Sequence, residues 1–439
     1  MDIRMPLEKN RSGATYRITL VLVAMTMMMW NATQGLAAET KPASLNVIAH
    51  PVHQRAATGS AGNITADWSK ANGVGVTWLT FDIGPLFERL TRETSLSETT
   101  IDVAFVLNSQ ASPKLLNLLE PLDAYQAQNP IEDFPDIFKG MVDGVSHQGK
   151  LYAVPFRHAV SGLHYNEEFF RERGIAGPPS NIEEFIELAK KLTYTRADGN
   201  KVHGFVMTGN HYANIVDLAR SWDGDFITAD YRLVVNQKGM VTAVKAMREL
   251  YEAGAYPRNF SALKSDDIDT WLQTGRAAMS IATISKTRNY NDPKNSKFPG
   301  KLKVTNLPVS KELKQKFAVA PAKIEYWSMA ILKNSKNKQL AWSLIRAMAS
   351  KGSTLITALN GNGPVRNSTY ERPEFVQQVP WAAVEQAVLK VARIPLPAFD
   401  AAAQAGDILL EGQQAAVLGM KSPQEAMDEV ANRVKPLLS

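Results

Sequence analysis

Asp102-Val103-Ala104-Phe105-Val106-Leu107 is almost unbroken in its apolarity. A strand with one wet face alternates apolar and polar residues. A run like this fits a strand buried on both faces, as in a parallel sheet covered by helices. Residues 45–49 and 76–81 are two more short, β-rich apolar runs, and a helical stretch near residues 83–90 separates the second from the third. This is βαβ order, and it predicts an α/β fold with a mixed sheet flanked by helices.

Beyond this region the apolar period lengthens to that of helices. Ser180-Asn181-Ile182-Glu183 reads as a capping box, with Ile182, Phe185, Ile186, Ala189 and Leu192 on one face. Ala243, Val244, Met247, Leu250 and Tyr251 form a second stripe that Gly254 can end. Leu340, Ala341, Leu344, Ile345 and Met348 form a third. Ser422-Pro423-Gln424-Glu425 opens a fourth, with Pro423 in the tolerated first turn and Met427, Val430 and Val434 following. Such stripes are core rather than cofactor boxes.

A chain of 439 residues is long for one core and predicts two lobes. Three extended stretches read as crossings between them. Residues 152–156 lead into Arg157-His158-Ala159-Val160-Ser161-Gly162; residues 321–326 precede a strand at 328–332; residues 361–368 are rich in Gly and Asn. Each lobe is then discontinuous: residues 38–157 with 322–370, and 158–321 with 371–439.

Composition narrows the function. The chain is 45% hydrophobic and 21% charged, ordinary for a globular protein. Of the net charge of +6, residues 1–37 supply +2 (Arg4, Lys9, Arg11 and Arg17 against Asp2 and Glu8), leaving a dispersed +4. No basic run suits a phosphate backbone, which argues against nucleic acid. The absence of cysteine excludes disulfides, thiolate metal sites, cysteine nucleophiles and a lipid anchor on Cys. A basic leader ending at Arg17, an apolar run of 13 residues from Ile18 to Trp30, and the small residues Gly35, Ala37 and Ala38 read as a signal peptide cleaved after Ala37 or Ala38. The run is too short to span a membrane, which takes about 20 residues.

Catalytic constellations are missing. Gly144-Val145-Ser146-His147-Gln148-Gly149 has the wrong spacing for a nucleophile elbow and reads as a surface turn. Gly361-Asn362-Gly363 follows a helix rather than a strand, which is wrong for a dinucleotide site. His50 and His53 flank Pro51 and are not expected to share a helix turn. Asp266, Asp267 and Asp269 lack the glycine and distal glutamate of a calcium loop and read as a helix cap or a wet face. No metal and no cofactor is implied. Trp78, Tyr212, Trp222, Trp271 and Trp327, in contrast, fall outside the clear helical stripes. Flat aromatic faces beside hydrogen-bonding groups are what a sugar ring requires.

Seven segments, in order, carry a family resemblance over nearly the whole chain from about residue 44. They are Leu118-Leu119-Glu120-Pro121-Leu122-Asp123; Gly149-Lys150-Leu151-Tyr152-Ala153-Val154-Pro155; Leu163-His164-Tyr165-Asn166 with Phe169-Phe170; Glu183-Glu184-Phe185 with Ala189-Lys190-Lys191-Leu192; Gly275-Arg276-Ala277-Ala278-Met279; Asn334-Ser335-Lys336-Asn337 before Ala341-Trp342; and Gly363-Pro364-Val365-Arg366. In these the chain resembles the family 1 extracellular solute-binding proteins, the group of maltose-binding protein. The resemblance implies a two-lobed periplasmic-binding-protein fold of type II character, with hinge segments and a ligand between the lobes. It implies a periplasmic monomer that delivers a small molecule, a sugar above all, to the membrane permease subunits of an ABC transporter, with no bond made or broken.

Carried over residue by residue, the resemblance puts ligand contacts at His53 and Gln54 after the first strand. It puts others at Asn108, Ser109 and Gln110 after the third, and at Arg157 and His158 in the first crossing. Tyr212 falls near a stacking tyrosine of the family, Trp222 in the helix region after it, Trp327 at the opening of the returning strand, and Arg366 at a frequent contact. Ser285 and Asp400 stand where the group has stacking tryptophans. The loss of these platforms implies a mono- or disaccharide or a sugar alcohol rather than a long maltodextrin, with Asp400 accepting a hydroxyl. Arg157 and Arg366 keep two readings: structural ion-pair partners, or together a site for an anion such as a uronate or phosphorylated polyol. The alternatives to a sugar are an anion or a polyamine, and outside the class a secreted hydrolase.

Overall fold

The computed structural model describes residues 41–438; the stretch read as a signal peptide lies outside them. The strands are β1 (Ser44–Ala49), β2 (Gly75–Thr80), β3 (Val103–Leu107), β4 (Ser146–His147), β5 (Lys150–Leu151), β6 (Ala153–Asn166), β7 (Tyr194–Thr195), β8 (Lys201–Val206), β9 (Ala277–Thr283), β10 (Leu302–Thr305) and β11 (Ile324–Ile331). Nine of them form one mixed sheet in the order β2-β1-β3-β11-β6-β9-β8-β7, with β10 also on β6. β1 runs parallel to both β2 and β3, as the helical crossovers Pro51–Ala57, Ala66–Asn72 and Ile83–Thr94 require. All five residues of β3 are buried, which accounts for its unbroken apolarity. β2 is the edge and is only half-buried.

The long strand β6 changes partner along its length. It pairs antiparallel with β11 over Ala153 to Val160, then with β9 from Ser161 to Tyr165. β11 lies between β3 and β6, so chain that left the first half of the sheet returns to it there. The helices Ile182–Lys191 and Lys238–Glu252 bury the stripes read from the sequence. Gly204 of β8 lies so close to Ala189 that a Cβ would sit 1.6 Å from its carbonyl oxygen, so only glycine permits that helix–sheet contact. The last helix, Pro423–Val434, opens with the predicted capping box at Ser422 and Glu425.

Several local expectations are corrected. The cap of Ile182–Lys191 is Asn181, which accepts from the Glu184 N–H at 2.9 Å, while the Glu184 carboxylate reaches back to the Ser180 N–H at 2.7 Å. The pattern sits one residue later than read, because the Asn side chain reaches the third N–H as well as a serine does. His50 and His53 do share a helix turn: His50 caps Pro51–Ala57, and Pro51 sits in the first turn, where a missing N–H costs nothing. β11 starts at Ile324 rather than at 328, so the crossing itself is strand and Trp327 lies inside it. Trp271 is core, buried in the helix Ser265–Thr274 under the Arg276 guanidinium. The segment Gly144 to Gly149 is a β4–β5 hairpin turning through Gln148 and Gly149 at positive φ, a surface turn as expected.

Candidate functional site

Cavities lie on both faces of the β6–β11 pair. Alternation puts Glu325 and Trp327 on one face and Ile324 and Tyr326 on the other. The Glu325/Trp327 face borders a cavity of about 670 Å³, lined among others by Ser109, Gln110, Asn210, His211, Tyr212, Glu325 and Trp327. The Ile324/Tyr326 face borders a larger one of about 900 Å³, lined by Asn108, Phe138, Tyr326, Arg393 and others. Volume does not decide between them; what does is an unpaired positive charge beside aromatic rings, since a buried unpaired amide atom borders each cavity, Asn108 Nδ2 the larger and Gln110 Oε1 the smaller. In the larger cavity Lys139 is paired with Asp143 at 2.6 Å, Arg393 with Asp223 at 3.3 Å and Asp225 with Arg220 at 3.1 Å, and Lys390 is exposed to solvent.

The Glu325/Trp327 face has polar atoms to spare. Arg157 is directly opposite Trp327 on β6, hence on the same face. A register shift between Trp327 and Ser328 marks a bulge here, a feature that re-aims side chains. The Nε of Arg157 is buried and has no acceptor. Gln110 Oε1 and both ring nitrogens of His53 are also buried without partners. His53 stacks on Phe105 at 4.5 Å and meets Trp327 edge-on at 4.7 Å; His50 lies 6.4 Å from the same indole. Burial and the nearby Arg157 charge push His53 well below the usual histidine range, so its ring is neutral at pH 7.

The facing wall is built from the second half of the sheet. His211 and Tyr212 stack at 5.0 Å just before the helix Ala213–Arg220. Tyr212 fits against Gly406, where a Cβ would come within 2.6 Å of the ring. Burial raises Glu325, but Lys323, His211 and Arg157 outweigh it and hold the carboxyl below its usual range. Burial lowers Arg157 to about 10, still charged at neutral pH. Lys286 reaches the same cavity already paired with Asp269 at 2.6 Å.

The expected contacts therefore divide. Ser109, Tyr212 and Trp327 line this cavity, with Arg157 and His53 beside Trp327. Asp400 is exposed two residues before the helix Ala402–Val417, whose first residues line the wall. Asn108 faces the other cavity, its Oδ1 accepting the Tyr326 N–H at 3.0 Å. Trp222 packs on the core after its helix and lines neither cavity. Arg366 is fully buried and does not reach the cleft: Ala349, Asp133 and Glu132 carbonyls and the Asp136 carboxylate take its donors at 2.7–3.3 Å. His158 points away from Arg157, its Nε2 2.9 Å from the Tyr370 hydroxyl. Ser285 borders a third cavity of about 580 Å³ with Arg288, Trp381 and Glu385.

Glu325, Lys323 and His211 line the site and are not among the contacts expected from the sequence. The period of two through Lys323, Glu325 and Trp327 would have exposed the first two, had the strand been started at Ile324. Among the described residues no cluster of side chains could hold a metal ion, and no helix is long and apolar enough to cross a membrane.

Residues 55–354 match the family model of bacterial extracellular solute-binding proteins. The chain belongs to that family. A binding protein of Brucella abortus is 23% identical over 381 residues, 84% of this chain and 87% of the relative. The maltose-bound MalE3 of T. maritima superposes with a TM-score of 0.76 at 20% identity, covering 90% of this chain and 99% of that one. A ribitol-bound ABC transporter solute-binding protein of Agrobacterium radiobacter K84 gives 0.75 at 21% identity, covering 90% and 100%. The fold is thus the two-lobed one of these binding proteins, with the strand order β2-β1-β3-β11-β6 in its first half. A solute-binding protein of this family needs a cleft for its ligand, and the cavity at Trp327 is the candidate.

Proposed function

We propose that this chain is the periplasmic substrate-binding component of an ABC importer, that it binds a small carbohydrate or sugar alcohol at the Trp327 cavity, and that it performs no catalysis. The observation that carries this reading is the convergence there of aromatic faces, Trp327 and Tyr212, with buried polar atoms that no protein group satisfies. Sugar rings and polyol chains offer C–H faces to the first and hydroxyls to the second. The maltose and ribitol of the two structural relatives belong to this class. Lobes of residues 38–157 with 322–370 and 158–321 with 371–439 fit the exchange of partners along β6. A ligand touching both lobes stabilises their closed arrangement by its differential affinity, and the permease reads that arrangement. Export through a cleaved leader and a monomeric state complete the proposal.

A thermal-shift screen against sugars, sugar alcohols, polyamines and amino acids tests it. A ligand at 100 times its dissociation constant adds about 2.7 kcal/mol to the folded state. A rise confined to polyamines or amino acids, or no rise with any sugar or polyol, refutes the carbohydrate reading.

A further inference from the structure

We propose that the ligand carries a carboxylate, and that Arg157 is the side chain that binds it. This rests on the carbohydrate reading and narrows it to sugar acids and acidic polyols. The two fully buried arginines each hold a carboxylate: Arg220 has Asp225 at 3.1 Å and Arg366 has Asp136 at 3.3 Å. Arg157 is partly buried, yet it forms no ion pair, and its buried Nε meets no acceptor. A guanidinium with its Nε buried and no carboxylate beside it is poorly compensated by the chain, and a partner from outside the chain would supply what is missing.

The charge around Trp327, at the edge of the cavity, fixes how much is missing. Glu325 is flanked on its own face by Lys323, one strand repeat away, and by Arg157 across the β11–β6 pair. Lys323 is committed to Asn214 Oδ1 at 3.4 Å. His50 and His53 are both held below the usual histidine range by burial and by Arg157, and so add no charge near pH 7. His211 is likewise lowered, and exposed Arg55 only adds to the positive side. Two more carboxyls act on these cations, Glu385 on Arg157 and Asp217 on Lys323, but burial raises both toward their neutral forms, so Lys323 and Arg157 against Glu325 leave a positive excess of about one charge. A hydroxyl can accept a guanidinium N–H but cancels no charge. A carboxylate cancels it and matches the two-pronged geometry of the guanidinium, whereas a phosphate dianion would overshoot. The indole of Trp327, directly opposite Arg157, then lies where the sugar body must run.

The test is calorimetric titration of the purified protein with matched pairs: glucuronate and glucose, galacturonate and galactose, gluconate and sorbitol, with glucose 6-phosphate as the dianion. At least one acid should bind about 10- to 100-fold tighter than its neutral mate, the worth of a hydrogen bond to a charged group. Arg157→Gln should shrink that ratio to within about threefold, and Arg157→Lys should keep part of it. The wild-type ratio carries the test if either variant fails to fold. Neutral mates that bind as tightly as the acids overturn the inference and leave the carbohydrate reading standing. A preference for the phosphate ester, or one that survives Arg157→Gln, also overturns it. Binding of none of these compounds sinks the carbohydrate reading itself, and the inference with it.

Discussion

The two faces of the β6–β11 pair differ in who satisfies their polar groups. On one, Arg157 and His53 keep buried nitrogens that the protein leaves unpaired. On the other, His158 Nε2 meets the Tyr370 hydroxyl at 2.9 Å and that hydroxyl meets Glu385 at 3.1 Å, so its ionisable groups are joined within the protein even though His158 Nδ1 and Asn108 Nδ2 are buried without partners. On the proposed reading, consecutive residues of one strand, Arg157 and His158, serve a visitor and the fold respectively. Binding sites accept this kind of local cost, and structural cores do not.

The sharpest way to break the contrast is to treat two arginines alike. Arg366→Met strips a carboxylate and three carbonyls of their donor and should destabilise the protein by ~3–5 kcal/mol in urea denaturation. Unchanged stability would return Arg366 to the ligand contacts.

Glu385 probes the closed face by pH. Burial raises its carboxyl from 4.5 to about 7. Below the unfolded value both states hold the proton. As pH rises from there toward the folded value, only the unfolded chain ionises, so stability falls, and above it the loss is complete. The loss amounts to about 3 kcal/mol at ~1.4 kcal/mol per pH unit. The stability of Glu385→Gln relative to wild type should therefore widen by about that much between acid and mildly alkaline pH; parallel profiles would show that Glu385 is not held protonated.

On the open face, Trp327→Ala should weaken ligand binding by ~1–3 kcal/mol in calorimetry. Full affinity in the variant would make the indole packing alone. The smallest effect expected is a gain. Arg157→Met removes an uncompensated cation and should raise the stability of the unliganded protein by ~1 kcal/mol, the reverse of the same change at 366. A loss at both positions would erase the distinction between the two faces.

Much of the fold is legible because it follows from local rules. The apolarity of β3, the stripes of Lys238–Glu252 and Lys338–Met348, and the box at Ser422 each report burial or capping through neighbours within one turn or one strand repeat. The site is less so. Asn108 and Ser109 are adjacent, yet they face different cavities, because the turn Asn108–Gln110 swings about the end of β3. Glu325 is not legible in the sequence because nothing local marks Ile324 as the start of the strand, which leaves the face of Glu325 undefined.

By itself, the sequence determined the α/β architecture, the core faces of the helices and the family, since these rest on periodicity, caps and ordered motifs written along the chain. Only the tertiary structure decided which charges are spent and which are free. Arg157 and Arg366 are the same residue type in similarly extended backbone, both assigned to the ligand by resemblance. Arg366 meets carbonyls 17 and more than 200 positions away, while the buried Nε of Arg157 meets no acceptor. Pairing depends on which distant segments fold together, and no local pattern encodes that.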